Sequence, residues 1–258
     1  MTVPIALVRG VPETFAQAIV RGPASDIDVS RARAQHAAYC RALSEAGFAV
    51  ELIAADDAHP DCPFLEDAAV VFDELAIATR PGAMSRRGEV GPVAEAVGRH
   101  RELRHIEPPG TVDGGDVLWI GDHVYIGRSQ RTNDTGIGQF ARYAAEAGLE
   151  ATAVEVQEVL HLKSAVSYLG AGTVLVAPGC VDPEVFASYR VIEKAPDEVH
   201  LASTLYLAAG RLLMTMSAPK TMERVADAGF EIVPLDMSEF QAADGGLTCL
   251  SILMPAPH

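Results

Sequence analysis

Several features that define common protein classes are missing from this sequence. No segment approaches the roughly 20 apolar residues that span a bilayer, so no membrane association is expected. The first residues, Met1 to Arg9, have a short apolar run without a basic start, so they predict a strand rather than a secretory signal peptide. No linker rich in proline, glycine or serine, and no block of like charges, divides the chain. We therefore predict a single domain over residues 1–258, located in the cytoplasm.

Cysteine and positive charge are both scarce. The four cysteines are Cys40, Cys62, Cys180 and Cys249, and no two have Cys-x-x-Cys spacing, so a structural zinc site is not expected. Without a secretion signal, free thiols in a reducing compartment are the expectation. The formal net charge is −15. This argues against nucleic acid, whose phosphates are neutralised by basic residues, and it allows a cationic substrate.

What the sequence does contain is a repeating unit of strands and helices. Short apolar runs closed by glycine, proline or serine predict five buried strands that meet turns, beginning at Ile5, Leu75, Val124, Thr173 and Arg211. Helical patterns follow in most units, over residues 31–46, 138–147 and 220–228. Each of these three patterns ends in Ala-Gly, which is typical of a C-terminal cap with a left-handed glycine. A second strand then begins at Phe48, Leu149 and Phe230.

Chemically useful residues occupy one place in this unit, where the third strand is expected to begin. The four stretches are Phe64-Leu-Glu-Asp67, Asp113-Gly-Gly-Asp116, His161-Leu-Lys-Ser164 and Leu247-Thr-Cys-Leu250. Glu66, Asp113, His161 and Cys249 are separated by 47, 48 and 88 residues, the last being two steps of 44. Ser203 takes this place in the remaining unit. A closed repeat fold would bring equivalent positions to one axis; the alternative is a plain α/β protein whose alternation is coincidental.

Each of these residues has a structural and a functional interpretation. Cys249 follows a double glycine and is either a buried strand cysteine or a thiol that needs a proton partner. His161 is the candidate partner, since histidine titrates near neutral pH. Asp113 either stabilises a glycine turn or serves the site. Glu66 and Asp67 are costly to bury unpaired, so a cation between them is expected, with strand alternation directing one of them to the ligand.

Two arginines lie in equivalent turns that enter helices. Arg86 follows the strand that begins at Leu75, and Arg131 follows the strand that begins at Val124. Arginine in such a turn either stays on the surface or holds a carboxylate with two hydrogen bonds.

Six motifs in order resemble the dimethylarginine dimethylaminohydrolases, a family of the guanidino-modifying group that also contains arginine deiminases and amidinotransferases. The motifs are Leu65-Glu-Asp67, Arg80-Pro-Gly-Ala83 with Ser85-Arg-Arg87, Asp113-Gly-Gly-Asp-Val117, Arg131-Thr-Asn133, Leu160-His-Leu-Lys-Ser164 and Leu247-Thr-Cys-Leu-Ser251. The resemblance runs from about Val8 to Ser251. It implies a five-bladed α/β propeller with pseudo-fivefold symmetry, one catalytic domain made of five α/β repeats.

The resemblance also implies residue roles. Cys249 would be the nucleophile and His161 the general acid and base, with Asp113 in the same catalytic group. The substrate-binding residues it implies are Asp61, Glu66 and Asp67 for the cationic groups, Arg86 and Arg131 for the α-carboxylate, and the backbone near Val20 and Ala243 for the α-amino group. Leu250 stands where some relatives carry a second cysteine, so redox behaviour based on adjacent thiols is not expected.

The activity implied is hydrolysis of Nω-methylated arginines to citrulline and dimethylamine or methylamine, through an S-alkylthiouronium on Cys249. It requires no metal, nucleotide or redox cofactor, and its partner is a small molecule. The sequence leaves a homodimer open. The alternatives are an arginine deiminase that releases ammonia, an agmatine deiminase, an amidinotransferase, a zinc hydrolase with Cys249, His161 and Asp113 as ligands, and a binding protein without turnover.

Overall fold

The computed structural model describes residues 3–22, 26–198, 204–208 and 210–255. Ser203 lies outside the described residues. The strands are β1 (Ile5–Arg9), β2 (Ala49–Ile53), β3 (Ala69–Val71), β4 (Leu75–Ala78), β5 (Glu102–His105), β6 (Val117–Ile120), β7 (His123–Arg128), β8 (Glu150–Glu155), β9 (Val166–Gly170), β10 (Thr173–Val176), β11 (Arg190–Glu193), β12 (Thr204–Ala208), β13 (Arg211–Thr215), β14 (Glu231–Leu235) and β15 (Ile252–Met254).

Helices connect these strands. The α-helices are α1 (Val29–Glu45), α2 (Val90–Gly98), α3 (Asp134–Glu146), α4 (Leu162–Ala165), α5 (Pro219–Asp227) and α6 (Ser238–Ala242). The 3₁₀ turns are Phe15–Gln17, Leu65–Ala68, Met84–Glu89, Gly114–Asp116, Pro183–Phe186 and Thr248–Leu250. No helix in the described part of the chain has both the length and the apolar character that crossing a membrane requires.

The strands form five sheets of three strands each, and every sheet has the same plan. The central strands are β1, β4, β7, β10 and β13. Each pairs in parallel with the strand that follows it and antiparallel with the strand that precedes it. In the first sheet the preceding strand is β15, so Ile5 lies opposite Met254 on one side and Ala49 on the other.

Burial explains why the apolar runs became central strands. All four residues of β4 are buried, and so are four of the five residues of β13. Continuous apolar runs of this kind suit strands that are covered on both faces. By contrast, four of the six residues of β8 are exposed, as expected for a strand at the edge of its sheet.

The predicted helix ends are confirmed. Gly47, Gly148 and Gly229 follow α1, α3 and α5 with φ of +96°, +76° and +98°, the left-handed conformation in which glycine carries no steric cost. At the other end of α1, the Asp28 carboxylate accepts hydrogen bonds from the Ser30 and Arg31 amides and caps the helix.

The four chemically useful stretches do not open strands, and this part of the sequence analysis was wrong. They lie on helical turns that precede β3, β6, β9 and β15. Because a 3₁₀ turn has three residues per turn, neighbouring side chains do not point to opposite faces. Glu66 and Asp67 are accordingly both buried, with exposed fractions of 7% and 4%.

The third strands of the five sheets line one cavity. Residues of β3, β6, β9, β12 and β15 all contribute to its wall, and its empty space, part of it open to solvent, amounts to about 860 Å³. β12 contacts β9, β6 contacts β9, and β15 contacts β3. At one end the wall includes Glu66, Lys163 and Thr248, which places the helical turns beside this cavity.

Candidate active site

The helical turns that precede β3, β6, β9 and β15 contact one another. The turn at 65–68 contacts those at 114–116 and 248–250, and α4 contacts the turn at 114–116. Residues that are tens of positions apart along the chain therefore converge. Asp67, Asp113, His161 and Cys249 come together at this point.

His161 is held by a buried carboxylate. Its Nε2 lies 3.0 Å from Asp113 Oδ2 and 3.9 Å from Asp67 Oδ1. Asp113 is fully buried, and its Oδ1 accepts the Gly82 amide at 2.8 Å. Asp113 therefore accepts the amide of a neighbouring turn and holds His161 in place, while its role in the reaction stays a prediction.

The charges around His161 determine its protonation. Burial lowers its pKa, but Asp67, Asp113 and Asp116 outweigh burial and raise the pKa to about 9. Burial likewise opposes ionisation of Asp67, but His161, Arg86 and the Gly115 amide lower its pKa to about 2. At neutral pH the site therefore contains an imidazolium that is ready to donate a proton and a carboxylate that stays ionised.

Cys249 is a protonated thiol in the unliganded pocket. Burial raises its pKa to about 12, and the Glu66 and Asp67 carboxylates add to this effect. Its Sγ accepts a hydrogen bond from the Gly246 amide at 3.4 Å. A cation bound beside Sγ would counter the nearby negative charge and favour the thiolate.

Arg86 is buried and extensively paired. Its guanidinium binds Glu89 through Nε and Nη2, at 3.1 and 2.8 Å from Oε2, and Asp67 Oδ2 through Nη1 at 2.5 Å. Nη2 also donates to the Phe64 carbonyl at 2.9 Å. Arg86 therefore fixes Asp67, and most of its donors are taken by the protein itself.

Arg131 has capacity left for a ligand. Its Nη1 is buried and lacks a hydrogen-bond partner among the described residues, and Asp113 Oδ2 is 3.8 Å away. The Arg131 backbone packs against Gly82, where a Cβ would come within 2.4 Å of the Arg131 carbonyl oxygen. Only glycine at position 82 allows this approach, so the two arginine turns meet.

Glu66 has a partner of its own. Its Oε1 accepts a hydrogen bond from Lys163 Nζ at 2.6 Å. Burial raises the pKa of Glu66, and Lys163 offsets part of that rise. Both residues also line the cavity between the third strands.

Two cavities meet at Cys249 and His161. The first, which we call the proximal cavity, has about 360 Å³ of empty space, part of it open to solvent, and its wall includes the predicted site residues Asp61, Asp67, Arg86, Arg131, His161, Ala243 and Cys249. The second, the distal compartment, is a smaller recess with about 210 Å³ of empty space, part of it also open to solvent. Its wall includes Glu66, Gly115, Lys163, Ser164 and Thr248, with His161 and Cys249 shared.

A short segment covers the proximal cavity. Ile19 lines it, and the Ile19 amide donates to Asp61 Oδ1 at 3.0 Å. The Arg21 amide donates to Asp244 Oδ2 at 2.6 Å. Val20 lies between these two anchors and is partly buried, although its side chain does not form part of the wall.

Several residues that matter to this geometry were missed by sequence reasoning. Asp116 is fully buried, and it accepts the Leu162 amide and the hydroxyls of Ser129 and Thr132. Burial raises its pKa to about 6 against these partners. The second aspartate of Asp-Gly-Gly-Asp was the available signal. Nothing in the sequence pointed to Glu89 as the partner of Arg86.

Tyr39 braces the turn that carries Cys249. Its hydroxyl donates to the Leu247 carbonyl at 2.9 Å and lies 2.7 Å from Ser251 Oγ. We expect Tyr39→Phe to destabilise the protein by about 1–3 kcal/mol, because a buried carbonyl loses its donor. We also expect lower turnover, because the Cys249 turn loosens. Urea unfolding together with turnover assays checks this, and an unchanged midpoint and rate would contradict the brace.

Two of the other cysteines lie away from the site. Cys40 lies on α1, partly buried against the core. Cys180 lies in the turn after β10 and is buried. Neither lies in the wall of the proximal cavity.

The donor atoms of Asp67, Asp113 and His161 lie within 4.8 Å of one another. A cation there would have to displace the proton that His161 holds at neutral pH, because the neighbouring carboxylates raise the pKa of His161 to about 9. The distances within this group are those of an imidazolium between carboxylates.

Comparison with known proteins shows which family the chain belongs to. No family model matches the chain. The dimethylarginine dimethylaminohydrolase of Streptomyces coelicolor is 43% identical over 251 residues, which cover 96% of this chain and 95% of that protein. The enzyme of the same name from Pseudomonas aeruginosa is 36% identical over 248 residues, or 94% and 97% of the two chains. The chain belongs to the dimethylarginine dimethylaminohydrolase family.

A solved structure extends the similarity to the fold. A cysteine-to-serine variant of the Pseudomonas aeruginosa dimethylarginine dimethylaminohydrolase, complexed with citrulline, superposes with a TM-score of 0.93 and 33% identity. The match covers 98% of this chain and all of that one. The five-sheet α/β arrangement is therefore that of the dimethylarginine dimethylaminohydrolases over nearly the whole length.

Proposed function

We propose that this protein hydrolyses Nω-methylated arginines to citrulline and dimethylamine or methylamine. The observation that carries the proposal is the meeting of Cys249 and His161 at the proximal cavity, whose other walls carry fixed charges of both signs. A nucleophile and a protonated imidazolium suit displacement of an amine. The carboxylates and Arg131 suit a ligand with a cation at each end and a carboxylate.

Substrate binding uses the charges already present. Asp67 stays ionised at neutral pH and is held by Arg86, so it is oriented before the guanidinium arrives. Asp61 lies where the segment around Ile19 covers the cavity and receives the α-ammonium, with the backbone near Val20 and Ala243. Arg131 offers its unpartnered Nη1 to the α-carboxylate, and Arg86 contributes its remaining donor. This fixed geometry places the guanidinium carbon against Cys249.

In the first chemical step the substrate cation favours loss of the Cys249 proton to solvent, and the resulting thiolate attacks the guanidinium carbon. A bond from sulfur to carbon forms, and the bond from carbon to the methylated nitrogen breaks. His161 gives its proton to the departing amine, while Asp113 holds the imidazole in place. An S-alkylthiouronium on Cys249 remains.

In the second step water attacks the same carbon. Neutral His161 takes a proton from the water as the new carbon–oxygen bond forms. The carbon–sulfur bond breaks with its electrons on sulfur, the second proton of the water returns to the Cys249 sulfur, and citrulline leaves. These residues carry both steps through general acid–base and covalent catalysis, without a metal, nucleotide or redox cofactor in any step.

We also propose that the five sheets are the blades of a propeller with pseudo-fivefold symmetry, and that residues 1–258 form one catalytic domain. The shared strand plan and the cavity between the third strands support this. A cytoplasmic location, a homodimer and the lack of a nucleic-acid partner stay predictions from the sequence.

Product analysis tests the function. Reduced protein would be offered asymmetric dimethylarginine, monomethylarginine, arginine and agmatine separately, with citrulline, alkylamines and ammonia measured. We expect citrulline with dimethylamine or methylamine and little reaction with arginine. Ammonia from arginine would indicate the deiminase alternative. If elemental analysis detects bound zinc and the activity is lost when the zinc is removed, the zinc hydrolase would be indicated. No turnover of any compound would overturn the proposal.

A further inference from the structure

The two cavities beside Cys249 differ in chemistry. Side chains of both charge types line the proximal cavity, among them Asp61 and Arg131. In the distal compartment the carboxylate of Glu66 has its own cationic partner, Lys163 at 2.6 Å. The remaining wall consists largely of small groups, at Gly115, Ser164 and Thr248.

This difference between the cavities determines which end of a bound methylarginine lies in each of them. The α-amino and α-carboxylate groups need the charged residues of the proximal cavity, and the guanidinium carbon must lie at Cys249. The substituents on the terminal nitrogen then extend past Cys249 and His161. A dimethylated nitrogen has no N–H to donate, so it requires space rather than an acceptor.

Gly115 makes room for two side chains of the site. A Cβ at this position would come within 2.7 Å of His161 Nδ1 and within 2.9 Å of Asp67 Oδ1. Any larger residue would push on the proton donor and on the carboxylate that binds the guanidinium. The positions of His161 and Asp67 beside the distal compartment therefore depend on glycine at position 115.

We infer that the distal compartment is the leaving-group subsite, and that Ser164 and Thr248 limit the size of the alkyl groups that the substrate nitrogen carries. The inference rests on the proposed function. When the carbon–nitrogen bond breaks, the nitrogen keeps the bonding electrons, takes the His161 proton and becomes a neutral amine in this compartment. Once the amine has left, the same space beside His161 admits the water that attacks the thiouronium.

The test compares substrates that differ only in their alkyl groups. Ser164→Val adds bulk to the compartment, and Ser164→Ala removes the hydroxyl without adding bulk. We expect Ser164→Val to lower the ratio of kcat/KM for dimethylarginine over monomethylarginine by about tenfold or more, because one methyl-sized overlap has an effect of that order. Ser164→Ala should keep the ratio within about twofold of the wild type.

A second variant decides the matter if Ser164→Val does not fold. Thr248→Ser removes one methyl group from the wall, and it should raise kcat/KM for an Nω-propyl-arginine relative to monomethylarginine severalfold. Unchanged ratios in the folded variants would overturn the inference while leaving the proposed function intact. Wild-type protein that turns over no methylarginine would instead overturn the proposed function.

Discussion

Cys249→Ser is expected to abolish turnover while the protein stays folded. A serine hydroxyl in this buried, negatively charged surrounding ionises even less readily than the thiol, whose pKa is already about 12 in the unliganded pocket. Loss of a covalent nucleophile commonly lowers kcat by several orders of magnitude. We expect a fall on the order of 10⁴-fold or more. Only one atom changes, so packing around the turn should persist.

The matched control is Cys180→Ser, which replaces another buried cysteine outside both cavities. It should retain wild-type kcat. Calorimetric titration with citrulline should show that Cys249→Ser still binds product, and thermal unfolding should give a midpoint close to that of the wild type. Substantial activity in Cys249→Ser would remove Cys249 from the reaction.

His161→Gln is expected to lower kcat by about 10²–10⁴-fold, the usual contribution of a general acid and base. Glutamine still reaches toward Asp113 and donates a hydrogen bond, but it cannot transfer a proton at neutral pH. The fold should therefore tolerate the change better than it would tolerate a small apolar residue. Amine release in a single turnover measures the first step directly.

The pH dependence separates a proton donor from a structural histidine. The first step needs protonated His161, so kcat/KM should fall as pH rises through about 9, the pKa to which the surrounding carboxylates raise this residue. In His161→Gln that alkaline limb should disappear. His123→Gln is the control, since His123 lies on β7 and contacts Thr152 rather than the site. A limb that persists in His161→Gln would assign it to another group.

The sequence could predict that His161, Asp113 and Asp67 lie close together. These residues recur at a period close to the length of one repeat, and the repeat is visible in apolar runs and in Ala-Gly helix ends. Because the five sheets share one strand order, residues at the same position in each repeat lie at the same place in each sheet. The second aspartate of the motif Asp-Gly-Gly-Asp was overlooked in the sequence analysis, although Asp116 accepts the Leu162 amide and so anchors the backbone beside His161.

The error concerning the third strands has a local cause. Glu66 and Asp67 lie next to an apolar run, and strand alternation was extended three residues too far, from Ala69 back to Glu66. The 3₁₀ turn places both carboxylates inside the protein, where each one has a cationic partner, Lys163 or Arg86. An isolated pair of acids in a sequence does not reveal which cation will neutralise each of them.

The sequence by itself determined the strands, the helix ends, the family resemblance and the types of residue available for chemistry, because these depend on neighbours along the chain. Only the tertiary structure decided the partnerships. Lys163 meets Glu66 across 97 residues, and Tyr39 reaches Leu247 across 208. The pKa values of Cys249 and His161 were decided there too, since burial and the carboxylates around each group set them. Closure of the N-terminal sheet by β15 brings these distant segments together.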